Sequence, residues 1–226
     1  MKEAVASAHV VPPARDSATV AFVDLAGFSA IADVHGDAAA LRILEKFEKM
    51  VGEALAELAP PVKWIGDEAM LAFPGPEIAV EALGKLLQAC RNEPRIPLTR
   101  AGVNHGPVIS RGGDLFGSTV NIAARIAALA SPGQLLATQA VAAAAAAKGV
   151  LVKELGPVAL RSVAHEVTLY EIELAPSTDP AWICPVCKMH APFEAYRRAA
   201  PTGPWFCSPG CEEAYRKSPQ TYPPAV

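Results

Sequence analysis

Apolar residues recur at every third or fourth position over residues 37–58. Leu41, Leu44, Phe47, Val51, Leu55 and Leu58 form one stripe, and Arg42, Glu45, Lys49 and Glu53 fall off it. This is the periodicity of a helix with one buried face, and Pro60-Pro61 ends it. A second helix is predicted over about 77–91, with Ile78, Leu83, Leu86, Leu87 and Cys90 inward, and a third from Ser118 to about Leu129, closed by Ser131-Pro132-Gly133. Ala140 to Ala147 is Ala-rich and reads as a surface helix. Between these lie strand patterns. Thr19 to Asp24 carries the β-branched and aromatic residues of a buried strand. Val62 to Ile65 and Ala69 to Phe73 flank Gly66-Asp67-Glu68 as a hairpin. A strand at about 98–104 leads to a second hairpin turning at Arg111-Gly112-Gly113. Short strands follow at Leu135 to Thr138 and near 150–154 and 166–173. The order predicts an α+β sandwich, helices packed on a mostly antiparallel sheet, over residues 18–174.

Two further segments flank that domain. Residues 1–17 contain Val-Pro-Pro-Ala without periodicity and read as a flexible N-terminal tail. Residues 175–181, beginning Ala-Pro-Ser-Thr-Asp-Pro, have the composition of a linker. Residues 182–226 then concentrate cysteines and aromatics (Trp182, Phe193, Tyr196, Trp205, Phe206, Tyr215, Tyr222) and read as a second, small module.

Composition narrows the class. Of 226 residues 51% are apolar, and 20 basic against 23 acidic residues leave a net charge of −3. That balance provides no electrostatic footprint for nucleic acid or an anionic membrane. No basic segment followed by an apolar core opens the chain as a signal peptide, and no run approaches the roughly 18 apolar residues of a membrane span. The expectation is a cytoplasmic protein with no nucleic-acid or membrane partner. Cys90 stands alone in a helical pattern and reads as a small buried hydrophobe. The other four cysteines crowd into residues 184–211, and in a reducing compartment such clustering favours metal over disulfides.

Three strings carry candidate chemistry: Val-Asp24-Leu-Ala-Gly27-Phe28-Ser29, Lys63-Trp-Ile-Gly66-Asp67, and Asp114-Leu-Phe-Gly117-Ser-Thr-Val-Asn121-Ile-Ala-Ala-Arg125. Asp24 follows a strand and Asp67 sits in a hairpin turn, so both can project over one sheet edge. Singly, each reads as a turn former or cap. As a pair they suit two divalent ions roughly 3.5–4 Å apart, and Mg²⁺ needs only a few carboxylates beside substrate phosphates. Leu25, Ala26 and Gly27, with Phe28 beside them, place backbone N–H groups near a helix start, where a triphosphate fits. Asn121 and Arg125 are four apart, on one helical face. The amide can orient a ribose and the guanidinium can meet phosphate charge, unless the pair is simply a solvated stripe. Lys63 and Asp114 supply a donor and an acceptor matching the acceptor N1 and donor N6 of adenine. The plain alternative is a surface lysine and a turn aspartate.

In order and spacing these strings closely resemble those of the class III nucleotidyl cyclases. That family carries its metal aspartates in D-x-x-G-F and K-x-x-G-D strings, matched by Asp24 and Asp67, with Lys63 at the purine-contacting lysine. Its D-x-x-G-x-x-V-N-x-A-x-R string is matched by Asp114 (purine), Asn121 (ribose) and Arg125 (transition state). The resemblance implies a ferredoxin-like βαββαβ sandwich that converts ATP to 3′,5′-cyclic AMP and pyrophosphate with two Mg²⁺ or Mn²⁺ ions. It also implies a head-to-tail homodimer, Asp24 and Asp67 of one subunit facing Lys63, Asp114, Asn121 and Arg125 of the other. The Val108 to Asp114 hairpin is short, as in bacterial members. Pro107 stands where some members place a phosphate-binding arginine, and Arg161, in a Leu-Arg-Ser-Val string where members often carry Leu-Lys-Gly, is a further phosphate candidate. The alternatives are a guanylate cyclase, a diguanylate cyclase, or a metal-responsive binding protein on an inactive cyclase scaffold. Gly112-Gly113-Asp114-Leu-Phe116 resembles the diguanylate Gly-Gly-Asp-Glu-Phe signature, but the Asn121/Arg125 string and Lys63 argue for adenine and class III.

Cys184-Pro-Val-Cys187 and Cys207-Ser-Pro-Gly-Cys211 have the spacing of a knuckle followed by a cysteine pair opening a helix, a sound tetrahedral zinc arrangement. A module this small hardly stabilises itself by burial, so a metal staple is physically reasonable. The string resembles the YHS/TRASH-type modules, which implies a treble-clef-like metal-binding unit able to regulate its neighbour. Those modules usually read Asp-Pro-Val-Cys-Gly-Met. Here Cys184 replaces the Asp and Lys188 the Gly, which favours a closed four-thiolate zinc site. His190 is a spare ligand, read as an exposed histidine.

Overall fold

The computed structural model describes residues 15–58, 60–191 and 203–222. The chain runs β1 (Arg15–Leu25), α1 (Phe28–His35), α2 (Asp37–Ala54), β2 (Lys63–Ile65), β3 (Glu68–Phe73), α3 (Pro76–Asn92), β4 (Thr99–Arg111), β5 (Asp114–Phe116), α4 (Ser118–Leu129), β6 (Leu135–Ala137), α5 (Gln139–Ala147), β7 (Val152–Ala159), β8 (Glu166–Ile172) and α6 (Pro209–Lys217). The strands form a single sheet in the order β2-β3-β1-β4-β6-β8-β7, with β5 folded back on β4. Among the described residues only the β4–β6 pairing is parallel. This is the mixed α+β architecture that the hydrophobic pattern predicts.

Strand alternation sorts the core into two layers. Ala21, Val23 and Leu25 of β1 and Leu71 and Phe73 of β3 face helices α1 to α3, where they join Ile31, Ile43, Phe47, Val51, Leu83 and Leu86. Val20, Phe22 and Met70 point to the other face and are covered by Ala123 and Ala127 of α4. That second layer is thin because α4 lies directly on β4. A Cβ on Gly102 would fall 2.0 Å from the Ala127 nitrogen and 2.6 Å from the Ala123 oxygen, so only glycine admits the helix there.

Several boundaries differ from the sequence reading. β1 opens at Arg15, and residues 15–17 pair with Ile109, Val108 and Pro107 of β4, so they belong to the sheet rather than to a tail. Residues 1–14 lie outside the described part. A separate helix, α1, precedes α2, divided from it by Gly36 at φ 82°. The buried face of α2 is Ala39, Ala40, Ile43, Phe47, Met50 and Val51, rotated from the leucine stripe. Leu41 is 55% exposed and Leu58 41% exposed, because the small Ala39 and Ala40 let the helix approach on their side instead. Ile78 is also exposed. Helix α5 is half-buried through Val141, Ala142, Ala144 and Ala145 rather than lying on the surface.

The C-terminal cysteines are not a detached unit. Cys184, Val186, Cys187, Met189, Trp205, Cys207 and Cys211 join the same buried cluster as α1 to α3. The Leu98 N–H donates to the Lys188 carbonyl at 3.1 Å, and His190 Nε2 lies 3.1 Å from the Arg91 carbonyl. The Arg91 guanidinium holds Thr178 Oγ1 in the segment read as a linker. Ser208 caps α6 by accepting from the Cys211 N–H. Phe193 and Tyr196 lie outside the described residues.

Candidate active site and thiol cluster

The end of β1 and the β2–β3 turn bring Asp24 and Asp67 within hydrogen-bonding reach of each other. Asp24 is 8% exposed. Burial, followed by the hydrogen bond and charge of Asp24, pushes the Asp67 carboxyl up to about 7. Glu68 is also raised, by burial first and then by the charge of Asp24. Gly66 at φ 64° makes the turn that places Asp67. The balancing cation is Arg100, the register partner of Asp24 across β1–β4, with Nε 2.7 Å and Nη2 2.5 Å from Asp24 Oδ2. Two touching acids against one guanidinium leave excess negative charge in a half-buried site, which is the donor set a hard divalent cation takes. The sequence reading missed Arg100. Its only sequence signal is that it is the lone cation in the 98–104 strand, because the pairing that makes it matter is a matter of register.

The loop after Asp24 departs from expectation. Leu25 and Ala26 are buried, and the Ala26 N–H donates to the Leu98 carbonyl at 2.8 Å, so it is not free for phosphate. β1 continues one residue further than its hydrophobic pattern, and Ala26 ties its end to the β4 side. The N–H groups at the start of α1, from Gly27 and Phe28 onward, remain the phosphate-facing candidates.

Lys63 Nζ and Asp114 Oδ2 lie 2.6 Å apart. The lysine holds the Asp114 carboxyl below its ordinary value, and the Leu115 N–H adds a second bond at 2.8 Å. Asn121 and Arg125 project from one exposed face of α4. Among the described residues the cation on Asp24 is Arg100, not Arg125. Arg161 is exposed in the turn after β7, between Leu160 and Val163, which share a small core with Ile122 and Ile126 of α4. One chain thus assembles Asp24, Asp67 and Arg100, and separately Lys63 with Asp114. Asn121, Arg125 and Arg161 stand on an open surface.

The four C-terminal thiols do converge. Cys187 and Cys207 Sγ are 3.2 Å apart, Cys207 and Cys211 3.6 Å, and Cys211 and Cys187 3.7 Å. Cys184 is buried beside them, and its hydrogen bond with Cys187 draws its thiol down to about 7. Cys211 is held low by hydrogen bonds from Cys184, Cys187 and Cys207, and Cys187 is pushed up. A fifth group, absent from the sequence reading, joins them: His35 Nε2 lies 3.4 Å from Cys211 Sγ and 3.9 Å from Cys207 Sγ. The candidate ligand atoms of His35, Cys187, Cys207 and Cys211 all lie within 4.8 Å of one another. His190 is not the exposed histidine expected. It is half-buried, bonded to the Arg91 carbonyl and held low by burial, and Nδ1 has no partner among the described residues. Cys90 is buried as predicted, its thiol pushed up to about 12 by that burial.

The architecture is thus a mixed α+β sheet with α1 to α3 on one face and α4 on the other, and an acid pair at one strand end. Residues 10–173 match the Adenylate and Guanylate cyclase catalytic domain family, and the chain belongs to that family. The chain is 35% identical over 174 residues, 74% of its length, to the pH-sensitive adenylate cyclase MT1302 of Mycobacterium tuberculosis, and that match covers 43% of the relative. It therefore spans less than half of that protein. Among solved structures, adenylate cyclases from Trypanosoma brucei in their monomeric state align with a TM-score of 0.61 at 24% identity, over 73% of this chain and 91% of theirs. The adenylyl cyclase CyaB from P. aeruginosa aligns with a TM-score of 0.60 at 19% identity, over 73% and 96%. Both likenesses establish the fold. No helix among the described residues is long and apolar enough to cross a membrane.

Proposed function

We propose that this chain is an adenylate cyclase that converts ATP to 3′,5′-cyclic AMP and pyrophosphate at a homodimer interface. The observation that carries the reading is the contact between Asp24 and Asp67, with Arg100 on one of them, at a sheet edge in a chain of cyclase family. The two acids would hold two Mg²⁺ or Mn²⁺ ions, which when bound acidify the ribose 3′-hydroxyl and neutralise phosphate charge. The chain's own groups do the rest. Gly27, Phe28 and the first turn of α1 offer N–H donors to the triphosphate. Lys63 donates to adenine N1 and Asp114 accepts from N6, a pairing that their 2.6 Å contact already pre-forms. Asn121 orients the ribose while its hydroxyl attacks the α-phosphorus, and Arg125 meets the charge that builds as the bond to pyrophosphate breaks. Arg161 brings positive charge toward the phosphates from the neighbouring turn.

Support for the dimer is that Asn121 and Arg125 face outward, and that Ile65 and Phe116, flanking the Lys63 and Asp114 hairpins, are exposed at 50% and 47%. Apolar surface of that kind beside an incomplete site suits a second copy, turned head to tail. We assign zinc to the thiol cluster, whose free cysteines suit the reducing cytoplasm. The test is turnover of ATP and GTP with Mg²⁺ or Mn²⁺, with products identified, in the wild type and in mixtures of variants. Asp67→Ala and Arg125→Ala should each be inactive. Mixed and refolded together they should recover about a quarter of wild-type activity, since half the dimers are mixed and each holds one intact site. No cyclic AMP from a demonstrated wild-type dimer, or no recovery on mixing, rejects the reading.

A further inference from the structure

Helix α1 runs from the substrate loop to the thiol cluster. Its first residue, Phe28, follows Gly27, and its last is His35. Eight residues at 1.5 Å each make it about 12 Å long. Cys187 meets both ends. Its thiol lies in the cluster with His35, while its backbone lies against Gly27, where a Cβ would come within 3.0 Å of the Cys187 carbonyl carbon. Between the two ends, a Cβ on Gly210 of α6 would stand 3.0 Å from Val34 Cγ1, so the module packs along the helix as well.

The cluster's dimensions fit an ion. With metal–sulfur bonds of about 2.3 Å and metal–nitrogen bonds of about 2.0 Å, the edges of a tetrahedral site are about 3.5–3.8 Å. The sulfur–sulfur separations of 3.2, 3.6 and 3.7 Å and the His35–Cys211 separation of 3.4 Å lie close to those edges. Five groups compete for four positions, and the compact set is the one that contains His35.

We infer that Cys187, Cys207, Cys211 and His35 form a three-sulfur, one-nitrogen site for a zinc-class ion, which staples the C-terminal module onto α1 and thereby fixes the Asp24–Phe28 loop at the substrate site. Cys184 then supports the site through its contacts with the other thiols rather than completing it. The inference adds a ligand from the cyclase domain to the zinc assignment above, and its loop-fixing consequence rests on the proposed active site.

Two measurements on the full chain decide it. The first is the visible absorption of the Co²⁺-loaded protein, whose d–d bands fall at longer wavelength for four sulfurs than for three sulfurs and a nitrogen. The wild type should show the three-sulfur pattern, Cys184→Ser should leave it in place, and His35→Gln should move it while weakening metal binding by about 10–100-fold. The second is backbone hydrogen exchange over residues 25–35 with and without Zn²⁺. Metal should slow exchange there in the wild type and not in His35→Gln at matched zinc, where thermal melting confirms that the variant is folded. A spectrum that responds to Cys184→Ser and ignores His35→Gln, or exchange over residues 25–35 that is the same with and without metal, overturns the inference. Neither readout requires turnover, so failure of the cyclase reading is seen separately.

Discussion

Lys63 and Asp114 are joined at 2.6 Å although they come from different hairpins, 51 positions apart. Their contact fixes a donor beside an acceptor, the complement of one purine edge and the mismatch of the other. Guanine presents a donor at N1 and an acceptor at position 6. Lys63→Glu should therefore lower kcat/KM for ATP by about 1–3 kcal/mol, roughly tenfold to a hundredfold, and raise GTP relative to ATP. Competition between the two nucleotides, with both cyclic products quantified, reads the change directly. An unchanged ratio would mean that the pair does not touch the base.

Ionised Asp67 is disfavoured where it stands, because it is half-buried and lies beside the carboxylate of Asp24. Removing one acid relieves like-charge repulsion. Asp67→Ala should leave the thermal midpoint unchanged or slightly higher while Mn²⁺-supported turnover falls about a thousandfold, the several kcal/mol that a lost metal ligand costs. Melting curves and product assays on one preparation give both numbers. A large drop in the midpoint would assign Asp67 a structural role instead.

How far the sequence could be read depends on whether a signal is local. The Ser118–Leu129 helix and the hairpins at Gly66 and Gly112-Gly113 were legible because their periods and turn residues are local. The three strings singled out Asp24 with Asp67 and Lys63 with Asp114, pairs that the structure brings together. What failed was relational. Of the α2 stripe, Phe47, Val51 and Leu55 are buried as the period predicts, but Leu41 and Leu58 are exposed and Ala39 and Ala40 take the buried face beside them. Arg100 acquires its role only through the β1–β4 register, and His35 only through packing of the last residues of α1 against cysteines 172 and 176 positions away. Leu25 ends β1 rather than opening a phosphate loop, and the Ala26 N–H in the turn after it is held by the Leu98 carbonyl.

Gly102 controls the seat of the helix that carries Asn121 and Arg125. A methyl group there would meet the α4 backbone at 2.0 Å, and backbone cannot swing aside as a side chain does. Gly102→Ala should cost about 3 kcal/mol in urea unfolding, the upper part of the usual overpacking range. It should also lower kcat more than it raises KM, since in the proposed mechanism the displaced Arg125 acts on the transition state. Gly52, on α2 with nothing within 4 Å, is the control: Gly52→Ala should be neutral or stabilise by up to about 1 kcal/mol through helix propensity.

Glu93, just past the end of α3, ties that helix to α2. Its carboxylate takes Nε and Nη2 of Arg95 at 2.7 and 3.0 Å and Lys46 Nζ at 2.8 Å. These partners, Arg95 first, hold its carboxyl at about 2, below the ordinary 4.5. A depressed folded-state value means that the unfolded chain takes up the proton first as pH falls. The stabilisation is therefore complete above about pH 4.5 and is lost between there and about pH 2. Arg95 is well exposed, so solvent screening keeps the contribution small. Glu93→Gln should unfold at lower urea than the wild type at neutral pH, and the two midpoints should converge as pH drops through that window. Added salt should narrow the neutral-pH gap. A gap that stays constant down to acid pH would show that packing of the side chain, not its charge, holds the two helices together.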